Sequence, residues 1–306
     1  MPITHCAIFL TEKCNLACDY CYYRDRNNET IDVENVEVFL KYVRKSKDPN
    51  RIIFILSGGE PLVEEEKCKE IVFLIKDYFP KNSIHIQTNG TLLNDRIITF
   101  LSKNRIKVEL GIDGKMLSTL RHRKGAKNFF PLILKNISKM KSLGINVSSN
   151  MTIHPDQLEN LCENYSFLES VGLTPIDITP AALECWDDTY TILFKKEYSA
   201  LLKKINLGKS SVYMDEDRPK KTFTFDLALL PSGHVLPGDI YLCLPKNVKM
   251  KKSLFVISKG NVKVNSDNLR FYLKEYRKLK TITCPVYRDY IIMSFSIVRR
   301  WMIEQF

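Results

Sequence analysis

Arg51-Ile52-Ile53-Phe54-Ile55-Leu56-Ser57-Gly58-Gly59-Glu60-Pro61, then an amphipathic stretch from Lys67 to Phe79 that Pro80 ends, then Ser83 to Gln87, form one complete strand–helix–strand unit. A β-branched apolar run that stops at a glycine pair and passes into helical periodicity cannot fold back as a hairpin. Its next strand lies parallel, reached by a right-handed crossover. The same alternation extends in both directions. Ile3 to Leu10 reads as the first strand and Asp32 to Ser46 as a helix, with Val36, Phe39, Leu40 and Val43 on one face. Downstream strands are expected at Ile106 to Ile112, Asn146 to Ile153 and Thr174 to Thr179, with helices near Leu93 to Lys103, Phe130 to Leu143 and Pro155 to Val171. Six strands alternating with helices predict an α/β fold, an open or partial (β/α)6 TIM-like barrel. Past Pro180 the alternation stops. A helix is expected near Thr191 to Asn206, and Thr222 to Leu230 with Pro231-Ser232-Gly233 and His234 to Leu236 reads as a hairpin. A helix near Asn268 to Leu279 and an apolar tail complete the reading. The expected division is a barrel over residues 1–207 and a small α+β extension over 208–306.

Composition excludes several classes. With 44% hydrophobic and 26% charged residues over 306 positions, collagen-like, disordered and coiled-coil readings fit poorly. The longest strongly apolar stretch, Tyr290 to Val298, holds two serines and ends at Arg299 and Arg300, far short of the roughly 20 residues of a membrane span. The start, Met1 to His5, lacks a basic segment and apolar run, which makes the cytoplasm the expected location and free thiols or metal ligands the expected state of the cysteines. The net charge is +11, and twelve Lys or Arg between Lys246 and Arg288 face only Asp267 and Glu275. Such a patch attracts an acidic peptide, a nucleic acid or an anionic membrane surface, or is simply a solvated lysine-rich face.

Three of the nine cysteines, Cys14, Cys18 and Cys21, fall within eight residues directly after the first strand. A C-x3-C-x2-C loop curls back far enough to offer three thiolates to one metal centre. Closed structural zinc takes four ligands and a four-iron cluster commonly takes four cysteines, so a triplet leaves one position open for chemistry. Cys6 as a fourth ligand would close the site instead, and incidental thiols are the remaining reading.

The triplet, with Tyr20 directly before Cys21, resembles the cluster loop of the radical S-adenosylmethionine (radical SAM) enzymes. Ser57-Gly58-Gly59-Glu60-Pro61 is similar to that family's Gly-Gly-Glu-Pro motif, Gln87-Thr88-Asn89-Gly90 follows the third strand, and Leu110-Gly111-Ile112-Asp113-Gly114 closes the fourth. The four motifs come in order at successive strand ends and span roughly the first 180 residues. The resemblance implies one 4Fe-4S cluster on Cys14, Cys18 and Cys21, with S-adenosylmethionine chelating the open iron. It also implies that Gly58, Gly59, Glu60 and Pro61 receive the methionine moiety, Glu60 accepting from the ammonium. By the same resemblance Tyr20 meets the adenine and Asn89 lies near the cofactor, although packing and turn roles suit both equally. Relatives carry a ribose-binding serine where this chain has Gly111. Arg121 matches an arginine of the peptide-modifying branch, Arg123 is the neighbouring alternative, and an exposed basic loop is the plain one.

Leu229 to Asp239 resembles the hairpin that opens the SPASM extension, in which a cluster cysteine follows a glycine by five positions; here that position is Gly238. The downstream cysteine series is also missing, so Cys185, Cys243 and Cys284 read as structural thiols. The expectation is a radical SAM enzyme acting on a ribosomally made peptide or protein side chain. It would depend on an external electron donor, and a separate leader-recognition protein could deliver the substrate. The same chemistry on a sugar or nucleotide is the alternative, and a metal-binding interaction protein without turnover is a third.

Overall fold

The computed structural model describes residues 3–21, 23, 27–125, 127–181, 184, 187–208, 227–236, 250–251 and 253–268. In chain order the strands are β1 (His5–Phe9), β2 (Ala17–Cys18), β3 (Ile53–Ser57), β4 (Ile84–Thr88), β5 (Lys107–Gly111) and β6 (Arg123–Lys124). They continue as β7 (Val147–Ile153), β8 (Ile176–Pro180), β9 (Leu227–Leu229), β10 (His234–Leu236), β11 (Phe255–Ser258) and β12 (Asn261–Val264). The helices are α1 (Val33–Val43), α2 (Glu65–Tyr78), α3 (Asp95–Lys103), α4 (Met116–His122), α5 (Phe130–Ser142), α6 (Leu161–Ser170) and α7 (Asp188–Gly208). Every strand and helix expected before Pro180 is present, its ends within a few residues. The exception is Pro155 to Val171, which begins as a 3-10 turn over Pro155–Asn160 before α6.

The chain groups into two compact units: Met1–Lys13 with Tyr23–Ile84 and Glu216–Phe306, and Cys14–Tyr22 with His85–Asp215. In the first, β1 is flanked by parallel neighbours on both sides, β3 (Cys6 opposite Phe54) and β9 (Cys6 opposite Leu227). Burial on both faces explains why β1 reads as a continuous apolar run. Its core holds Ile8, Phe9, Phe39, Leu40, Phe54, Ile71 and Ile75, all fully buried. Asp32 caps α1 by accepting from the Glu34 N–H, and α2 ends at Phe79, whose ring lies 4.8 Å from that of Phe54. The expected hairpin forms between β9 and β10, and β11 and β12 extend it antiparallel. Two features went unread. One is β9 joining β1. The other is the β11–β12 hairpin, whose turn places Lys259 and Gly260 at φ +47° and +72°.

In the second unit β4, β5, β7 and β8 run parallel in that order. Asn94 caps α3 by accepting from the Ile97 N–H at 3.0 Å. The segment for which an exposed basic loop was one alternative is the end of α4 followed by β6, a two-residue strand that pairs antiparallel with β2. The fold is thus mixed α/β with mainly parallel pairing, and among the described residues it does not close into a barrel. The expected helix from Asn268 and the apolar tail lie outside the described residues apart from Asn268.

Candidate active site

In the first unit, the segment after β3 stacks on the backbone that leads into the cysteine loop. The Gly59 N–H donates to Thr11 O at 2.7 Å and the Glu60 N–H to Lys13 O at 2.8 Å. A Cβ at Gly58 would stand 2.5 Å from Thr11 O, at φ +139°, and one at Gly59 only 2.2 Å from Lys13 O. The glycines therefore let the chain approach itself closely. Glu60 is fully buried and its Oε1 accepts from the Leu62 N–H, so it also caps the 3-10 turn that Pro61 opens.

The second unit carries the cysteine loop. Cys14, Cys18 and Cys21 are partly exposed and lie outside any disulfide. The Leu16 N–H points at Cys14 Sγ from 3.4 Å and the Asn89 amide from 3.9 Å, while the Cys21 N–H donates to Cys18 O. Asn89 holds the loop further through Asn15 Oδ1 at 2.9 Å, and its own Oδ1 accepts from Thr91. Burial pushes the Cys18 thiol up to about 11 despite the opposing Arg123 guanidinium, with Cys21, Asp113 and Cys14 adding to the rise. A thiol so placed stays protonated on its own and would release its proton when a bound cation takes up the thiolate.

Pairing of β2 with β6 sets Cys18 opposite Arg123. Behind it lies a buried hub that the sequence reading did not assemble. Asp113 accepts from Tyr20 Oη (2.6 Å), Arg123 Nε and Nη2 (2.8 and 2.7 Å) and the Thr152 N–H (3.0 Å). Arg123 also lies 5.4 Å over the Tyr20 ring. Every acceptor position of this carboxylate is charge-assisted or backbone-fixed, which rigidifies the loop carrying Cys18 and Cys21. Tyr20 is thus placed by its hydroxyl on Asp113. A Cβ at Gly111 would stand 2.8 Å from Arg123 Nη1, so the absent serine side chain leaves the space that the guanidinium fills. Arg121 lies on α4, and its side chain is outside the described residues. Asp113 sits inside a quoted motif, and Arg123 was the named alternative to Arg121; only the geometry joins them.

Further along β5, Glu109 Oε1 accepts from the Gln87 and Asn150 amides at 2.8 and 3.4 Å. Burial, reinforced by the charge of Asp177, raises its carboxyl to about 7.

The chain is thus an α/β fold with three cysteines outside any disulfide in the loop after its first strand. The sequence profile of the radical SAM superfamily matches residues 8–168, more than half of the chain, and the chain belongs to that superfamily. Membership implies S-adenosylmethionine and a 4Fe-4S cluster. An uncharacterised protein of Methanocaldococcus jannaschii is 29% identical over 248 residues, 78% of this chain and 84% of that one. A serine-type anaerobic sulfatase-maturating enzyme of Bacteroides thetaiotaomicron is 28% identical over 179 residues, 55% of this chain but only 43% of that enzyme. A GTP 3′,8-cyclase of Clostridium perfringens is 32% identical over 189 residues, 57% and 56% of the two chains. In fold, the structure of native anSMEcpe with bound AdoMet and Cp18Cys peptide superposes with a TM-score of 0.72 at 16% identity, covering 100% of this chain and 98% of that one. The protein is therefore a radical SAM enzyme related to the sulfatase-maturating enzymes. No described helix is long and apolar enough to cross a membrane.

Proposed function

We propose that this enzyme removes a hydrogen atom from a carbon of a ribosomally made peptide or protein side chain. The observation that carries the reading is the grouping of three cysteines outside any disulfide, Cys14, Cys18 and Cys21, on a loop that the Asp113–Arg123 pair holds. This donor set suits a single 4Fe-4S cluster with one open iron. When bound, that group supplies one electron from an external donor to S-adenosylmethionine, releasing methionine and the 5′-deoxyadenosyl radical that takes the hydrogen. The protein's part is to place and shield. Cys14, Cys18 and Cys21 hold the cluster, Glu60 accepts from the ammonium of the methionine moiety, and Gly58, Gly59 and Pro61 shape the turn around it. Tyr20 and Asn89 steady the loop on the adenine side, and Arg121 is proposed, from the family resemblance, for the ribose role that Gly111 has no side chain to fill.

Residues 208–306 are proposed to act as a cover without auxiliary clusters, built on β9 to β12. The basic excess between Lys246 and Arg288 favours an acidic peptide, brought in directly or by a leader-recognition partner. Described cysteines outside any disulfide suit the reducing cytoplasm. A second reading, a small metabolite, draws on the cyclase relative and on the polar row of Gln87, Glu109 and Asn150.

The test is anaerobic reconstitution followed by reductive cleavage. About four irons per chain and formation of 5′-deoxyadenosine are expected, both lost when Cys14, Cys18 and Cys21 are replaced together by Ala. Deuterium passing from a labelled acidic peptide into 5′-deoxyadenosine supports the peptide reading. Transfer only from a nucleotide or sugar moves the assignment to the second.

A further inference from the structure

We propose that Glu109, Asn150 and Asp177, steadied by Gln87, form a subsite for a protonated amine of the substrate, the ammonium of a lysine side chain or of a free amine, with Glu109 setting this specificity. The inference deepens the function proposed above and rests on it for taking the bound molecule as substrate. All four residues belong to the second unit. Gln87 stands directly opposite Glu109 in the β4–β5 register, and Asn150 directly opposite Asp177 in the β7–β8 register. Glu109 Oε1 accepts from the Gln87 and Asn150 amides at 2.8 and 3.4 Å, which puts these side chains on one face of the sheet. Their strand neighbours Ile86, Val108, Met151 and Ile178 are buried on the other face, against which α5 and α6 pack.

The same strands lead up to the cysteine loop. Asn89, two residues after Gln87, reaches Cys14 Sγ at 3.9 Å, and Gly111, two residues after Glu109, underlies the Arg123 guanidinium. The row therefore lies about two residues, roughly 6–7 Å, further down the sheet than the groups that touch the loop. Asp177 is reached by water, yet burial still pushes its carboxyl up, as happens to a side chain that lines a recess rather than a convex surface.

Hydrogen bonding in this row is weighted toward acceptance. Both amides spend a donor on the same oxygen, Glu109 Oε1. Asn150 Oδ1 is buried and has no hydrogen-bond partner among the described residues, and none of their donors reaches Glu109 Oε2 or the Asp177 carboxylate. The cations on this face do not fill the need: Arg123 is committed to Asp113, and Lys107, two residues before Glu109, is exposed. An ammonium carries three donors and no acceptor, which matches three acceptor groups, two of them acidic. A hydroxyl brings one donor, and a phosphate or carboxylate brings only further negative charge to two carboxyls. Both carboxyls are raised, Glu109 to about 7, and a positive charge between them favours their ionised forms.

The test measures, by saturation-transfer NMR, the binding of three probes to anaerobically reconstituted holoenzyme with S-adenosylmethionine. They are Nα-acetyl-lysine N-methylamide, its norleucine counterpart, which lacks the ammonium, and n-butylammonium. The lysine probe should bind at least about tenfold more tightly than the norleucine probe. Glu109→Gln, which keeps an oxygen for the two amides, should weaken the lysine probe about tenfold to a hundredfold and leave the norleucine probe where it was. Asp177→Asn, at a position that water reaches, should act in the same direction and keeps the test open should Glu109→Gln fold poorly. Butylammonium binding as tightly as the lysine probe supports the subsite and assigns the nitrogen to a free amine; a preference for the lysine probe assigns it to a peptide side chain. Norleucine bound as well as lysine, lysine affinity unmoved in both variants, or no binding of either cation overturns the proposal. Iron content, 5′-deoxyadenosine and deuterium transfer are read separately, so their loss with the charge discrimination intact would count against the proposed reaction alone.

Discussion

At the level of single residues, Gly111 and Arg123 behave as one choice. The guanidinium is buried, gives two hydrogen bonds to Asp113 and lies where a Cβ at Gly111 would be. A flexible arginine tip could normally swing aside, but this one is held at both ends of its fork. Gly111→Ala is therefore expected to destabilise the protein by about 1–3 kcal/mol, the usual range for overpacking a filled interior. Arg123→Ala should cost more, about 3–5 kcal/mol, because it strands the Asp113 carboxylate. In the Arg123→Ala background the Gly111→Ala change should cost almost nothing, and denaturant unfolding of the four proteins measures that coupling. Equal cost in both backgrounds would mean that the two positions are independent. The sequence displayed both residues, one as a departure from a family run and the other as a neighbour of Arg121. Their joint role was hidden because it depends on how β2 and β6 pair, and two-residue strands leave no periodic trace.

Between elements, legibility followed burial. The parallel strands read clearly because apolar runs bounded by turns persist where both faces are covered. β9 and β10 were legible only through their turn, and β12 is exposed along its length, so neither pattern nor hydropathy marks it. The polar row across β4, β5 and β7 also escaped notice, since Gln87, Glu109 and Asn150 look like ordinary alternation within each strand. Burial and the charge of Asp177 favour a proton on Glu109, while the two amides that donate to its carboxylate pull the other way. Glu109 is raised from an ordinary 4.5 to about 7, so the folded chain binds that proton more tightly than the unfolded one. Its contribution to stability is full below the unfolded value and falls as pH rises through about 7; it is flat beyond. Asp177, pushed up by burial, tilts the curve the same way. Glu109→Gln should accordingly flatten the decline in Tm between about pH 5 and pH 8 and leave a more stable protein at the alkaline end. A variant whose decline matches wild type would show that Glu109 ionises freely in the folded state.

For the whole molecule, charge is the feature least visible in the fold and most visible in composition. Among the described residues of the basic segment, Lys251, Lys259 and Lys263 are exposed. Lys251→Glu with Lys263→Glu should slow turnover of an acidic peptide at low concentration. Cleavage of S-adenosylmethionine without peptide should stay near wild type, and the gap should close as salt shortens screening to below about 8–10 Å. Equal losses in both assays would indicate damaged folding, and no loss would return the patch to plain solvation. The same segment carries the last described strand of its sheet. β12 turns Val262 and Val264 toward water and has a described partner only on the β11 side, the condition under which chains recruit one another edge to edge. Lys263 between the two valines, and the lysine–glycine turn before them, are the devices that keep such an edge from propagating. Selection on this stretch would then act on colloidal behaviour at cellular concentration as well as on catalysis, giving Lys263 a second reason to be kept.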